Sequence, residues 1–335
     1  MWQIICKSVL LLTLAVVLCC GLYPLTLWSI GQLIFPFQAN GSRVLADNGT
    51  SLGSLLIAQP FTKDEYFHPR PSAANYNAAA SASSSLAASN YALRDRVARS
   101  LGPIVVYADG PQAGLPVAPE IDRWFAADIY RIQPHIVAQW ASLHPALAQT
   151  WVKADPAHSA YIENWVKLHP MLVSQFIKEN PTLPTPTATD LAVTFFQRFS
   201  EENPGKFPVT LTQTGTVIQL SDNGPEIHAI FFDMWRQENP KIPLRNLPGD
   251  MVTTSASGLD PHITLENAYY QLDRVANTLA GNLKLDPAAV REKIENILQE
   301  HSSSPFGGLA GEKQVNVLEV NLELHKQFDT GTGKL

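Results

Sequence analysis

The sequence has only three cysteines, and all of them, Cys6, Cys19 and Cys20, lie in its first 20 residues. The rest of the chain therefore carries no disulfide framework and no thiolate metal site, a pattern that fits an extracytoplasmic bacterial protein. Charge is the next scarcity. No Asp, Glu, Lys or Arg occurs between Lys7 and Arg43, and acidic residues outnumber basic ones, 30 to 24, for a formal net charge of −6. With no basic run and no basic–aromatic interleaving, the electrostatic footprint of a nucleic-acid binder is missing, and nucleic acid is not expected as a partner. Short catalytic signatures are missing too. No G-x-S-x-G elbow surrounds Ser257. "GGLAGEKQ" near 307 has Glu312 before Lys313 in place of Gly-Lys-Ser/Thr, and "GTGK" at 331–334 is not expected to open a phosphate-binding helix. His135, His144, His158 and His169 are separated by nine residues or more, without an H-x-x-x-H pair, so no metal site is expected.

What is present begins with a long apolar run. "VLLLTLAVVLCCGLYPLTLWSIGQLIFPF" exceeds the roughly 20 apolar residues a helix needs to cross a hydrocarbon core. A cleaved signal peptide has an apolar region of about 7–15 residues and then a small-residue cleavage site, and neither description fits here. "VLCC" resembles a lipoprotein acylation site only faintly, because Cys19 stands where a smaller residue is expected. The expectation is an uncleaved transmembrane helix over 8–36, kinked at Pro24, with Tyr23 and Trp28 marking an interface. Lys7 and the terminal amine favour a cytoplasmic segment 1–7, with the remaining chain outside.

A length of 335 residues suggests roughly two domains beyond such an anchor. Residues 37–101 are rich in Ser, Ala and Asn. "GSLLIAQPF" reads as a short strand, and "YALRDRVARSLG" has helical spacing with Leu93, Val97 and Leu101 on one face. Over 102–250 an aromatic residue recurs four positions before His, Asp or Asn, which precedes proline: "WASLHP", "WVKADP", "WVKLHP", "FIKENP", "FSEENP" and "WRQENP". Proline suits the first helical position, Asp or Asn before it can cap the exposed amides, and the residue before proline leaves helical geometry. A succession of short helices is predicted, each burying its aromatic against a neighbour. Over 251–328, Leu265, Ala268, Tyr269, Leu272, Val275, Ala276 and Leu279 trace one helix face, and Asp286-Pro287 opens another helix. "QVNVLEVNLEL" reads as a strand running into a helix. The expected class is α+β: one transmembrane helix, then a mixed α/β domain from 37–101 and 251–328, carrying an inserted all-helical repeat subdomain at 102–250.

The stretch "SASGLDPHIT" puts Ser257, Asp260 and His262 close together. A catalytic triad assembles its members from distant parts of a chain and points them at one another, so this spacing argues against a hydrolase centre. The competing reading has Ser-Gly as a turn, Asp260 capping a short helical turn, Pro261 at its first position and Thr264 capping the next helix.

Several pieces in fixed order resemble the C subunit of Kdp-type potassium-transporting ATPases: "GLYPLTLWSIGQLIFPFQANGS", "GSLLIAQPFTKDEYFHPRPSAANYN", "SLAASN", "VTTSASGLDPHIT", "QLDRVA" and "VNVLEVNLEL". The family's common form passes almost directly from the "LRDRVARSLG"-like helix to the "VTTSASGLD"-like stretch, so 102–250 marks an enlarged variant. The resemblance implies a single-pass subunit of the bacterial inner membrane with a periplasmic domain. Its implied partners are membrane lipid, a channel-like potassium-binding subunit and a P-type ATPase subunit. It also implies a catalytic-chaperone role that raises the ATPase subunit's affinity for ATP. No cofactor of the chain's own is expected; ATP would meet it only in a ternary complex with the ATPase subunit. Gly53, Ser54, Gln59, Arg70, Ser72, Ser257, Gly258, Leu259 and Asp260 are the candidate partner- or nucleotide-contact residues, with turns, loop polarity and a surface ion pair as their structural alternatives. Two further readings stand beside this one: an anchored hydrolase, and a periplasmic binding module working through the repeats.

Overall fold

The computed structural model describes residues 2–46, 48–87, 89–132, 134–211, 217–309 and 311–328. Helices and small two-stranded sheets make up its regular structure. The chain divides into two compact units, Met1–Ser85 with Leu247–Leu335, and Leu86–Asn246.

The apolar run forms helix α1 (Trp2–Val16), a π-helical turn (Val17–Leu22) and helix α2 (Tyr23–Ile34). As one stretch of 33 residues it is long and apolar enough to cross a membrane. Pro24 does not end it. Proline has no N–H to offer the carbonyl four residues back, and the turn before it widens instead, with Tyr23 N–H reaching Leu18 O. Helix α3 (Pro36–Ala39) then reverses the chain. The Ala39 Cβ comes to 3.5 Å from where a Cβ on Gly31 would stand, and Asn40 Nδ2 donates to Gln32 Oε1 at 3.4 Å. Strands β1 (Arg43–Leu45) and β2 (Ser51–Ser54) follow as an antiparallel hairpin, with Val44 opposite Gly53. The strand predicted in "GSLLIAQPF" is thus confined to Gly53 and Ser54, because Ser54 Oγ turns back to Gly41 O at 2.7 Å and accepts Leu56 N–H at 3.1 Å, starting a turn.

The second unit opens with α4 (Tyr91–Leu101), capped by Asn90 Oδ1 on Ala92 N–H at 2.9 Å. Helices α5 (Ala118–Ala126), α6 (Ile136–Leu143), α7 (Pro145–Ala154), α8 (Pro156–Leu168), α9 (Pro170–Glu179) and α10 (Ala192–Glu202) come next. Strands β3 (Phe207–Leu211) and β4 (Val217–Ser221) pair antiparallel, and α11 (Pro225–Glu238) closes the unit. This hairpin corrects the all-helical expectation. After "FSEENP" the chain offers Phe207, Val209 and Leu211 in alternation, a strand period rather than a helical one. Helix α4 packs on α11, so the unit begins ahead of residue 102; at the contact, a Cβ on Gly102 would run into His228 O.

Every one of the six aromatic–proline signatures ends a helix, but only those at Pro145, Pro156 and Pro170 start the next one. Asp155 caps as expected, accepting Ala157 N–H at 2.8 Å. The asparagines do the opposite of what was expected. Asn180, Asn203 and Asn239 each donate Nδ2 back to the carbonyl of the aromatic four residues earlier, at 3.0, 3.3 and 2.9 Å. An amide has a donor that a carboxylate lacks, so the same slot caps a C-terminus with Asn and an N-terminus with Asp. Trp140, Trp151 and Trp165 are buried around Phe195, Phe196 and Phe207, mostly edge to face.

Returning to the first unit, β5 (His262–Thr264) pairs with β6 (Gln314–Asn316), Ile263 opposite Val315. Helix α12 (Leu265–Leu283) starts at Thr264, whose side chain accepts Asn267 N–H, and α13 (Pro287–Glu300) starts at Asp286, which accepts Ala289 N–H. Helix α14 (Val317–Phe328) continues directly from β6, as predicted. The core of the unit lies among these three helices, with Leu272, Val275, Ile294, Leu298, Val320 and Leu324 buried together beside Phe61, Tyr66 and Phe67.

Candidate functional site

Two loops of the first unit, one before residue 85 and one after 249, hold each other through backbone bonds. Ala58 N–H donates to Leu259 O at 2.9 Å, and Ala82 N–H to Ser257 O at 3.0 Å. Ser72 Oγ donates to Gly258 O at 2.5 Å and accepts the N–H groups of Ala74 and Tyr76 at 3.1 and 3.0 Å. Gly258 has φ +70°, and a Cβ there would stand 2.7 Å from Ala82 O and 3.0 Å from Ala74 N. Only glycine admits both the left-handed backbone and this approach.

Ser257 Oγ accepts Leu259 N–H at 3.1 Å, while Asp260 Oδ1 accepts His262 N–H at 3.0 Å and lies 3.1 Å from His262 Nδ1. No hydrogen bond joins Ser257 to His262 among the described residues, so the three side chains do not form a relay. Asp260 also differs from its expected role. It closes a turn over His262 rather than capping a helical turn, because Pro261 O accepts Val317 N–H at 3.0 Å and the chain proceeds into β5. Its Oδ2 sits 3.8 Å from Arg70 Nη1, and Arg70 reaches Thr254 O at 3.4 Å. Burial opposes the Asp260 carboxylate, but the His262 hydrogen bonds and the Arg70 charge outweigh it and hold the carboxyl below the ordinary aspartate value.

Gly53, Ser54 and Gln59 form a second group, around the first hairpin. Gly53 has φ +152° and leaves the space that the Gln59 carboxamide occupies, and Gln59 Nε2 donates to Leu52 O at 3.2 Å. The bond from Ala58 to Leu259 joins this group to the first.

Deeper in the same unit lies a polar clamp that the sequence reading missed. Asn321, fully buried, accepts Phe67 N–H at 2.8 Å and donates to Phe67 O at 2.9 Å. Gln271 treats the next residue the same way, accepting His68 N–H at 2.8 Å and donating to His68 O at 3.0 Å. Arg274 adds bonds to Asp64 O and Tyr66 O at 2.6 and 3.0 Å. Two side-chain amides thus stand in for the neighbouring strand that an extended segment would otherwise need. Burial pulls the Arg274 guanidinium below its usual value, partly offset by Asp64, and burial together with the Arg274 charge pulls His68 down. The available signal was a polar residue on an apolar face: Asn321 shares its helix face with Val317, Leu318 and Leu324.

The histidines of the repeat are scattered among separate partners. His135 Nδ1 lies 3.4 Å from buried Asp128, His158 stacks on Trp151 at 3.8 Å, and His169 lies 3.2 Å from Glu202. His144 sits at the junction of α6 and α7. Among the described residues no group of three or more His, Cys, Asp or Glu could hold a metal ion. Of the phosphate-loop candidates, residues near 307 form a 3-10 turn over Pro305–Gly308, and 331–334 fall outside the described residues.

Fold and site together define a domain carried on a single apolar helix, with bracing polar contacts at the positions first read as candidate chemistry. The family model for "K+-transporting ATPase, c chain" matches residues 5–118 and 227–326. The potassium-transporting ATPase KdpC subunit of Rhodopseudomonas palustris is 43% identical over 319 residues, covering 95% of this chain and 96% of that one. The corresponding subunit of Clostridium kluyveri is 26% identical over 323 residues, covering 96% and 93%. That of Pseudomonas aeruginosa is 49% identical over 89 residues, which are 27% of this chain and 49% of that shorter relative. The chain belongs to the KdpC family. Residues 119–226 fall outside the family model, yet the first two relatives align across them, so this stretch is not peculiar to this chain.

Proposed function

We propose that this protein is the non-catalytic subunit of a high-affinity, ATP-driven potassium uptake pump, assembled with a channel-like potassium-binding subunit and a P-type ATPase subunit. The observation that carries this reading is the family match on both sides of residues 119–226. It is single-pass in the bacterial inner membrane, with Lys7 on the cytoplasmic side and both compact units in the periplasm, an orientation supported by the positive-inside rule. Its role is to stabilise the assembly and to assist ATP use by the ATPase subunit as a catalytic chaperone, meeting ATP only in a ternary complex. The rigid bracing of the two loops by Ser72, Gly258 and Asp260 suits a presenting surface, and Arg70, Ser72, Ser257, Leu259 and Asp260 are half-buried there while Gly258 is buried.

The test is potassium-stimulated ATP hydrolysis by the pump purified with and without this chain. Loss of stimulation without it supports the reading; full activity without it refutes the reading. The second unit, Leu86–Asn246, is proposed to be an inserted binding module for a periplasmic partner. Exposed Ile129, Tyr130 and Ile132 favour it, with Ile132 97% exposed. Deleting 86–246 would leave ATP hydrolysis intact and remove a protein from pull-downs; no change in the pull-down would sink this second reading.

A further inference from the structure

Beside the end of the apolar helix the first unit has an open groove of about 620 Å³, a size common for small-molecule sites. Its apolar lining is Val44, Leu45, Leu52, Leu55 and Leu322, and its polar rim is His301 with Glu319, Glu323, His325 and Lys326 of α14. The rim mixes signs. Glu319 pairs with His301 at 3.4 Å, and Glu323 lies 3.5 Å from Lys326. Hydrogen bonding from Gln327, against a small burial penalty and with Lys326 nearby, keeps the Glu323 carboxyl below its usual value, so it is an anion at neutral pH.

The depth of this groove follows from the chain reversal at α3. Asn40 bonds Gln32, and Ala39 packs against Gly31, so residues 39–40 return to the level of the last turn of α2. The hairpin is fastened at that level. Ser42 N–H donates to Phe37 O at 2.9 Å, Leu55 N–H to Ser42 O at 3.1 Å, and Ser54 Oγ to Gly41 O at 2.7 Å. Leu55 is therefore bonded to Ser42, the residue at which the uncharged run gives way to Arg43. Exposed apolar side chains flank this junction, Phe35 and Phe37 on the helix side and Leu45 and Leu56 on the hairpin side. Aromatic and aliphatic side chains at such a boundary belong to the interfacial layer of a bilayer.

We propose that this groove is a phospholipid subsite, seating a lipid of the surrounding leaflet with a zwitterionic ammonium–phosphate headgroup. The acyl–glycerol region lies on Val44, Leu45, Leu52, Leu55 and Leu322. The ammonium group faces Glu319 and Glu323, and the phosphate faces Lys326. Continuity with the membrane helix selects lipid as the occupant, and the mixed rim selects a headgroup carrying both charges over an anionic one.

The test is native mass spectrometry of the full chain in detergent micelles, titrated with dioleoyl-phosphatidylethanolamine or dioleoyl-phosphatidylglycerol. One ethanolamine lipid is expected to be retained at a concentration at least fivefold below that needed for the glycerol lipid. Leu45→Asp in the apolar lining and a double Glu319→Gln, Glu323→Gln change at the rim are each expected to abolish that preference. Both sites are at the surface, and circular dichroism checks the fold. Equal retention of both lipids, or a preference unchanged in the rim variant, would mean lipid bound only around the helix and would overturn the proposal.

Discussion

Replacing Asn321 by Leu should destabilise the first unit more than any change at the residues first singled out from the sequence. Leucine keeps the heavy-atom count and branching of asparagine, so no cavity opens, and its bulkier methyl groups can only add to the cost in a packed site. What is lost is a pair of bonds, at 2.8 and 2.9 Å, to both backbone groups of Phe67, a residue 1% exposed. With no water to replace them, a buried N–H and a buried C=O are each left unsatisfied, at about 1–3 kcal/mol apiece. The total is about 2–6 kcal/mol, or a fall in melting temperature of about 5–15 °C for a unit of this size. Thermal unfolding of the full chain in detergent measures it, and hydrogen exchange of a peptide spanning 61–72 locates it. Exchange there should rise far more than in α6 of the other unit. A shift below about 2 °C, or unchanged exchange at 61–72, would refute the claim that the clamp holds this segment.

Four further outcomes are expected. Gly258→Ala forces a Cβ to 2.7 Å from Ala82 O at φ +70° and should cost about 1–3 kcal/mol, whereas a neutral result would mean that the two loops are not locked together. Gly102→Ala should loosen α4 from α11 and raise exchange in both helices, since the new Cβ meets His228 O; unchanged exchange would contradict that packing. Asn203→Asp removes the donor to Phe199 O and places a carboxylate at a helix C-terminus, which should lower stability by about 1 kcal/mol; an equal or higher melting temperature would count against the capping role. The Asp260 carboxyl is depressed in the folded state, so its contribution is present above the unfolded aspartate value and disappears as pH falls through the lower folded one. Asp260→Asn should flatten that acid limb of the stability profile, and an unchanged limb would show that the carboxylate contributes nothing there.

What the sequence made legible was punctuation. Asp155, Asp286 and Thr264 cap helices as expected, because a cap acts across two or three residues and needs no knowledge of the rest of the fold. The same logic misled at Asp260-Pro261. That dipeptide matches Asp155-Pro156 locally, but Val317, more than fifty residues downstream, takes the Pro261 carbonyl and draws the chain into a strand. The clamp was illegible for the same reason: Asn321 and Phe67 are 254 positions apart, and no local pattern pairs them. The C-terminal capping by Asn180, Asn203 and Asn239 was recoverable in principle, since the donor on an amide separates Asn from Asp. The β3–β4 hairpin was hidden by the helical rhythm on either side of it. Among the candidate residues, Ser72 and Gly258 lie where two loops meet, and Ser257 and His262, whose spacing argued against a hydrolase centre, bond to Leu259 and Asp260 rather than to each other.

The central claim, membership in a potassium pump, is tested most directly by purifying the full-length protein from its native membrane in mild detergent and identifying what comes with it. The account predicts recovery of a P-type ATPase subunit and a potassium-binding subunit together with this chain. Recovery of the chain alone, from a membrane shown to contain both of those proteins, would contradict it.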